Sequence, residues 1–185
     1  EVIAEKDLLF ILAKRDITVR YKQTVLGILW AVIRPVATMF VFIFAFKQIP
    51  ALSSTNKYPF QLILFSGILV WNYFANSFQA VSNSLLVNSN LISKVYFPRL
   101  ILPITSIANP VFDFVLSSVL LMALLLYMGM PLHILNLIFI PIYAGWALVL
   151  GLGVGLWLSA LNVVYKDIGQ GIGYVLQLAF YVSPI

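Results

Sequence analysis

Residues 135–161 read LNLIFIPIYAGWALVLGLGVGLWLSAL, an apolar run without a single Asp, Glu, Lys or Arg. As a helix rising ~1.5 Å per residue it extends ~40 Å, more than the ~30 Å hydrocarbon core of a bilayer. A strand of a membrane barrel would show short alternating segments, and hydrocarbon leaves no partner for an unpaired backbone group. The run is therefore a membrane-spanning helix. Its GLGVG stretch, with Gly151, Gly153 and Gly155, lacks the preceding strand of a dinucleotide loop. Gly151 and Gly155 make a G-x-x-x-G pair that permits close helix approach, and Gly169 and Gly173 repeat that spacing.

Outward from this run the same pattern recurs. Further spans are expected at about 26–46, 59–80 and 100–127, the last interrupted by Pro103 and Asn109-Pro110. A fifth begins near Gly171 and still runs at Ile185. Between them lie turn-forming segments at 47–58, 128–133 and 162–170 and an amphipathic, Ser/Asn-rich and then basic stretch at 81–99 that suits a loop or short surface helices, and no internal repeat is visible. Of the 185 residues 62% are hydrophobic and only 9% charged, against about 25% in soluble domains. Too little polar surface exists to coat a water-soluble core. The fold expected is an all-α integral membrane protein, with a transmembrane domain over 23–185 and an N-terminal helix over 1–22.

That N-terminal segment is too charged to span. Leu8, Leu12 and Val19 form one apolar stripe and Phe10, Ala13 and Ile17 another on the opposite side. Two stripes fit an interfacial helix held between lipid and protein; a plain helical lead-in to the first span fits equally. Cations fix the orientation. With the N-terminus inside, inner segments 1–22, 81–99 and 162–170 hold five, two and one cations, and outer segments hold only Lys47 and Lys57. The N-terminus is thus cytoplasmic. Span five would then exit outside, so a sixth span is expected beyond this sequence. The net charge of +5 reads as topology rather than as a nucleic-acid partner.

Catalytic parts are missing from the sequence. It has no G-x-x-x-x-G-K-[ST] phosphate cradle, no cysteine and no paired carboxylates, and its one histidine, His133, sits in an outer turn. No catalytic residue, metal site or cofactor is expected on this chain. Two charges, Arg34 and Asp113, lie ~12 and ~20 Å into their spans. Charge at such depth costs at least a few kcal/mol and calls for a partner, water or a site. Pairing of Arg34 with Asp113, within one subunit or across a dimer, is favoured over proton transport because a lone acid makes a poor relay.

Three segments carry a resemblance. They are Arg20-Tyr21-Lys22-Gln23-Thr24-Val25-Leu26-Gly27 continuing to Trp30-Ala31 and Pro35, then Tyr96-Phe97-Pro98-Arg99 through Leu102-Pro103, then Asn162-Val163-Val164-Tyr165-Lys166-Asp167-Ile168. In order and spacing these resemble the membrane subunits of polysaccharide-exporting ABC transporters. The first segment is most similar to exporters of lipid-linked O-antigen, where Arg-Pro is usual; capsule-type relatives more often carry an acidic residue before that proline. The resemblance implies six spans per subunit and a homodimer around one channel. It implies two copies of a separate ATPase carrying ATP and Mg, and export of undecaprenyl-linked polymer across the bacterial inner membrane. It also implies a coupling helix near Val87–Lys94, with Ser89, Asn90, Ser93 and Lys94 facing the ATPase. From composition alone 81–99 reads as a linker with topology-setting cations.

Aromatic residues are abundant, and composition does not separate packed or lipid-facing bulk from a ring-lined pore. With a sugar polymer implied, Phe40, Phe44, Tyr174, Phe180 and Tyr181 are the channel-lining candidates, beside Thr38 and Gln177 as polar partners. Three rival readings remain. A small-molecule or drug-exporting ABC permease shares the architecture. A membrane-embedded glycosyl- or acyltransferase would need clustered His or carboxylates. A secondary transporter would depend on Asp113 as its only acid candidate.

Overall fold

Several helix boundaries along the chain have an identifiable local cause. The computed structural model describes residues 6–22, 27, 29–46, 59–93, 98–130, 134–165 and 167–183. Its helices are α1 (Lys6–Lys22), α2 (Leu29–Phe46), α3 (Phe60–Val87), α4 (Ser89–Ile92), α5 (Ile101–Ser106), α6 (Ala108–Tyr127), α7 (Ile134–Val164) and α8 (Asp167–Val182). The break between α5 and α6 falls one turn before Pro110, whose ring displaces the carbonyl four residues back and supplies no N–H. At the end of α6 the N–H of Met130 bonds the Leu125 carbonyl at 3.1 Å and that of Gly129 the Leu126 carbonyl at 3.0 Å. Gly129 sits at φ +67°, the left-handed cap that this paired closure requires. Asp167 opens α8, where its charge complements the helix dipole.

Two boundaries differ from the sequence-based expectation. Helix α3 does not end near Ala80 but continues to Val87, through the Ser/Asn-rich stretch. The serines do not break it because their hydroxyls turn back onto the helix: Ser82 Oγ donates to the Phe78 carbonyl at 2.8 Å and Ser84 Oγ to that of Val81 at 2.7 Å. Likewise the polar turn expected over 162–170 is much shorter, since α7 reaches Val164 and α8 begins at Asp167.

Helix α3 is the centre of the bundle, packing on α2, α5, α6 and α8 and most extensively on α7. Its Leu62, Leu64, Phe65, Ile68 and Leu69 form a buried cluster with Met39 of α2 and Leu121 of α6. A second cluster joins Leu12 of α1 to Ile101 and Leu102 of α5. Of the two α1 stripes, Leu12 is buried whereas Phe10 and Val19 stay exposed within the subunit.

Against α3 runs a stripe of small residues on α7, and a Cβ on Gly155 would lie 2.8 Å from Val81 Cγ1. One on Gly151 would make ordinary contact with the α3 backbone at Phe78, and one on Gly153 would meet nothing. The two residues of the G-x-x-x-G pair thus face the partner helix, as the spacing demands.

Pro35 is tolerated inside α2 for a tertiary reason. It removes the N–H that would bond the Ala31 carbonyl, and Ser117 Oγ of α6 points a hydroxyl at that carbonyl, 3.4 Å away. Among the described residues two helices are long and apolar enough to cross a bilayer, Ile101–Tyr127 across the α5–α6 break and Phe139–Val164 in α7. Only 11% and 28% of their most apolar windows are buried within the chain, so these faces require lipid or another subunit rather than a soluble core. The apolar part of α2, Leu29–Phe44, is shorter.

Candidate functional site

The C-terminal end of α1 meets α2, α3 and α6 around a cavity of about 510 Å³. Polar groups on its wall include Arg20, Arg34, Asn72, Tyr73, Asn76 and Asp113. Asp113 is held by Arg20, whose Nη2 lies 3.0 Å from Oδ2, with side-chain exposures of 35% and 15%. Within the subunit the pair expected from depth, Arg34 with Asp113, does not form. Packing of α1 beside α6 lets the long Arg20 side chain reach up from the helix end to the carboxylate, a contact that distance along a span cannot reveal. Arg34 lies instead over the indole of Trp30, its Cζ 5.8 Å from the ring centroid.

A second polar assembly joins the C-terminal ends of α3 and α7 to the start of α8. Asn162 is fully buried. Its Nδ2 donates to the Ser82 carbonyl at 3.2 Å and to Asn83 Oδ1 at 2.8 Å, while its Oδ1 accepts from the Gly169 N–H at 3.0 Å. That last donor belongs to the first turn of α8, where an N–H has no partner within the helix. A Cβ on Gly169 would lie 2.8 Å from Asn83 Oδ1 and 2.9 Å from the Asn162 amide, so any larger residue there displaces the amides from this arrangement. One carboxamide therefore ties three helices together at the α7–α8 turn.

Just beyond the end of α3 lies the segment singled out for coupling. Asn88 interrupts the helix and one turn, α4, follows. Asn88 Nδ2 donates back to the Ser84 carbonyl at 2.9 Å, and Arg15 Nη2 of α1 reaches Asn88 Oδ1 at 3.4 Å. Leu91 and Ile92 pack on the Leu12–Ile101–Leu102 cluster. Ser89 and Ser93 face outward. Asn90 belongs to α4, and Lys94 lies outside the described residues.

A family model described as ABC-2 type transporter matches residues 7–185. The chain belongs to the ABC-2 type transporter family. Among curated relatives, a protein named O-antigen export system permease protein RfbA from Klebsiella pneumoniae is 29% identical over 97% of this chain and 68% of its own length. One of the same name from Myxococcus xanthus is 27% identical over the whole chain and 70% of its own length.

In this ABC-2 chain the aromatic candidates separate into two groups. Phe40 and Phe44 of α2, and Tyr174 and Tyr181 of α8, are 62%, 83%, 70% and 68% exposed within the subunit. Phe180 turns inward, meeting Phe42 edge-on at 5.5 Å and Trp71 at 5.8 Å, and packs on the α3 core cluster. It fastens α8 to α2 and α3. Of the polar partners, Thr38 Oγ1 is engaged with the Arg34 carbonyl at 2.9 Å, and Gln177 is exposed. Sequence reading missed Asn162 as a fastening, although its position in line with Gly151, Gly155 and Ser159 on one helix face was a usable signal.

Proposed function

We propose that this chain is the channel-forming subunit of an ATP-driven exporter that moves lipid-linked, O-antigen-like polysaccharide across the bacterial inner membrane. The observation that carries the reading is similarity to O-antigen export permeases along 97–100% of the chain. In this reading the subunit works as a homodimer with two copies of a separate ATPase, which bind ATP and Mg, and catalyses no reaction itself. The N-terminus is cytoplasmic, and α2, α3, α5–α6, α7 and α8 are the five spans of a 23–185 transmembrane domain, with α1 along the inner surface. The α4 segment, with Ser89, Asn90, Ser93 and Lys94, receives the ATPase. Phe40, Phe44, Tyr174 and Tyr181 offer flat apolar faces to a sugar chain. The Asn162 tie links the inner end of α3, next to α4, to the start of α8, so a push on α4 has a stiff path to a helix carrying two of these rings.

A strain lacking its own O-antigen permease provides the test. Expression of this protein with its ATPase partner restores polymer at the cell surface, and ATP turnover by the purified complex rises with the polymer-lipid. Turnover driven by a small amphipathic drug, with no surface polymer restored, would instead establish the small-molecule reading.

A further inference from the structure

The cavity between α1, α2, α3 and α6 has a charge imbalance that the described residues do not resolve. Arg20 and Asp113 neutralise each other at 3.0 Å. Arg34 has an aromatic neighbour but no carboxylate partner among the described residues, and a cation–π contact at 5.8 Å occupies none of its five N–H donors. Its backbone carbonyl accepts from Thr38, which leaves the guanidinium uninvolved. A guanidinium in a span costs at least a few kcal/mol unless something compensates it.

The neutral groups around it are also unspent. The side-chain amides of Asn72 and Asn76 and the Tyr73 hydroxyl line the same cavity, and none makes a hydrogen bond to another described residue. Tyr73 is fixed through its ring, which packs at a 40° tilt against Phe114 with 4.5 Å between centroids. A volume of about 510 Å³ lies within the ~300–1,000 Å³ of small-ligand sites. The same cavity is lined by apolar Trp30 and Ile33 of α2, 40% and 37% exposed, beside Arg34 and Asn76, which are also exposed within the subunit.

A cation is repelled by this site, and a neutral sugar leaves the arginine uncompensated. An anion with several acceptor oxygens satisfies both the guanidinium and the amide donors, and the exposed apolar side chains of Trp30 and Ile33 beside them on an apolar helix favour one that carries a hydrocarbon tail. We propose that this cavity binds the phosphate headgroup of a lipid, with Arg34 as its charge partner and Asn72, Tyr73 and Asn76 as neutral hydrogen-bond partners. Assigning that phosphate to the exporter's cargo would rest on the function proposed above; the site itself rests only on the cavity.

Native mass spectrometry of the intact protein in a maltoside detergent, which brings no phosphate, tests it. The probes are phosphatidylglycerol, a polyprenyl diphosphate without sugars, and diacylglycerol as the phosphate-free control. At least one phosphate lipid is retained far above diacylglycerol. Arg34→Gln weakens that retention roughly tenfold or more, the effect of losing a charge-assisted hydrogen bond. The Asn72→Ala, Asn76→Ala double variant weakens it too, and serves if Arg34→Gln does not fold. Arg99→Gln, an exposed arginine outside the cavity, leaves it unchanged. Preference for the polyprenyl diphosphate identifies a cargo-type phosphate, and equal retention of phosphatidylglycerol a bilayer lipid. Retention equal to that of diacylglycerol, or indifferent to the cavity variants, overturns the proposal. Export by the wild-type protein is read separately, so either reading can fail without the other.

Discussion

Replacing Asn162 by alanine tests the tie between α3, α7 and α8 directly. The side chain is fully buried and makes three hydrogen bonds of 2.8–3.2 Å. The Ser82 carbonyl keeps its own helix partner, and Asn83 is partly exposed and can turn to water, so their loss is modest, about 0.5–1.5 kcal/mol each at most. The Gly169 N–H has no substitute acceptor, and stranding it costs about 1–3 kcal/mol. The expected total is roughly 2–6 kcal/mol, a fall in apparent unfolding midpoint on the order of 4–24 °C for a chain of this size. Heating the detergent-solubilised protein and measuring the fraction that survives size-exclusion chromatography reads it out. Gly169→Ala sharpens the test, because its Cβ collides with the Asn162 amide at 2.9 Å and with Asn83 at 2.8 Å. In the wild-type background it is strongly destabilising; after Asn162→Ala the space has opened and the further loss is small. Two neighbours in one network are expected to be non-additive by about 1 kcal/mol or more. Additive losses, or an Asn162→Ala midpoint within a degree or two of wild type, would refute the tie.

Arg20→Gln and Asp113→Asn each cost about 1–2 kcal/mol, less than the ~3–5 kcal/mol of a fully buried pair because Arg20 is 35% exposed; the double variant costs less than their sum, whereas Arg34→Gln adds independently to Asp113→Asn in the same unfolding assay. Gly155→Ala lowers stability by about 1–3 kcal/mol through its clash with Val81 and is partly rescued by Val81→Ala, while Gly153→Ala is neutral or slightly stabilising, since its Cβ meets nothing. Ser89→Glu leaves the subunit folded and inserted but weakens ATPase association in pull-down; normal association would move the docking site elsewhere. In this cysteine-free chain, Cys at positions 40 and 174 is labelled by aqueous reagents during transport and protected by polymer, whereas Cys at 180 stays unreactive; uniform inaccessibility of the first two would assign them to lipid or packed interfaces.

Much of the helical architecture was legible from local chemistry, because hydropathy and helix breakers act within a few residues of where they stand. The uncharged run at 135–161 predicted α7, Asn109-Pro110 predicted the interruption that separates α5 from α6, and the G-x-x-x-G spacing picked out the two glycines that meet α3. Local chemistry misled where side chains had an option that composition does not record. Serines 82 and 84 looked like loop formers, yet each closes a hydrogen bond onto its own helix and lets α3 run on to Val87.

Residue depth along a span was likewise readable, but not the direction in which a residue points or the element that lies opposite. Arg34 and Asp113 sit at comparable depth, and only the packing of α1 beside α6 decides that Arg20 takes the carboxylate and leaves Arg34 facing a cavity. Phe180 and Tyr181 are adjacent in sequence, and helical rotation sends one into the α2–α3 contact and the other outward. Asn162 owes its role to Asn83 and Gly169, which converge on it only when α3, α7 and α8 come together. Sequence by itself determined that this chain is helical, lipid-embedded and akin to export permeases, because those properties follow from composition and short motifs. Tertiary structure decided which charges, rings and amides find one another, because that depends on helix azimuth and on partners tens of residues away.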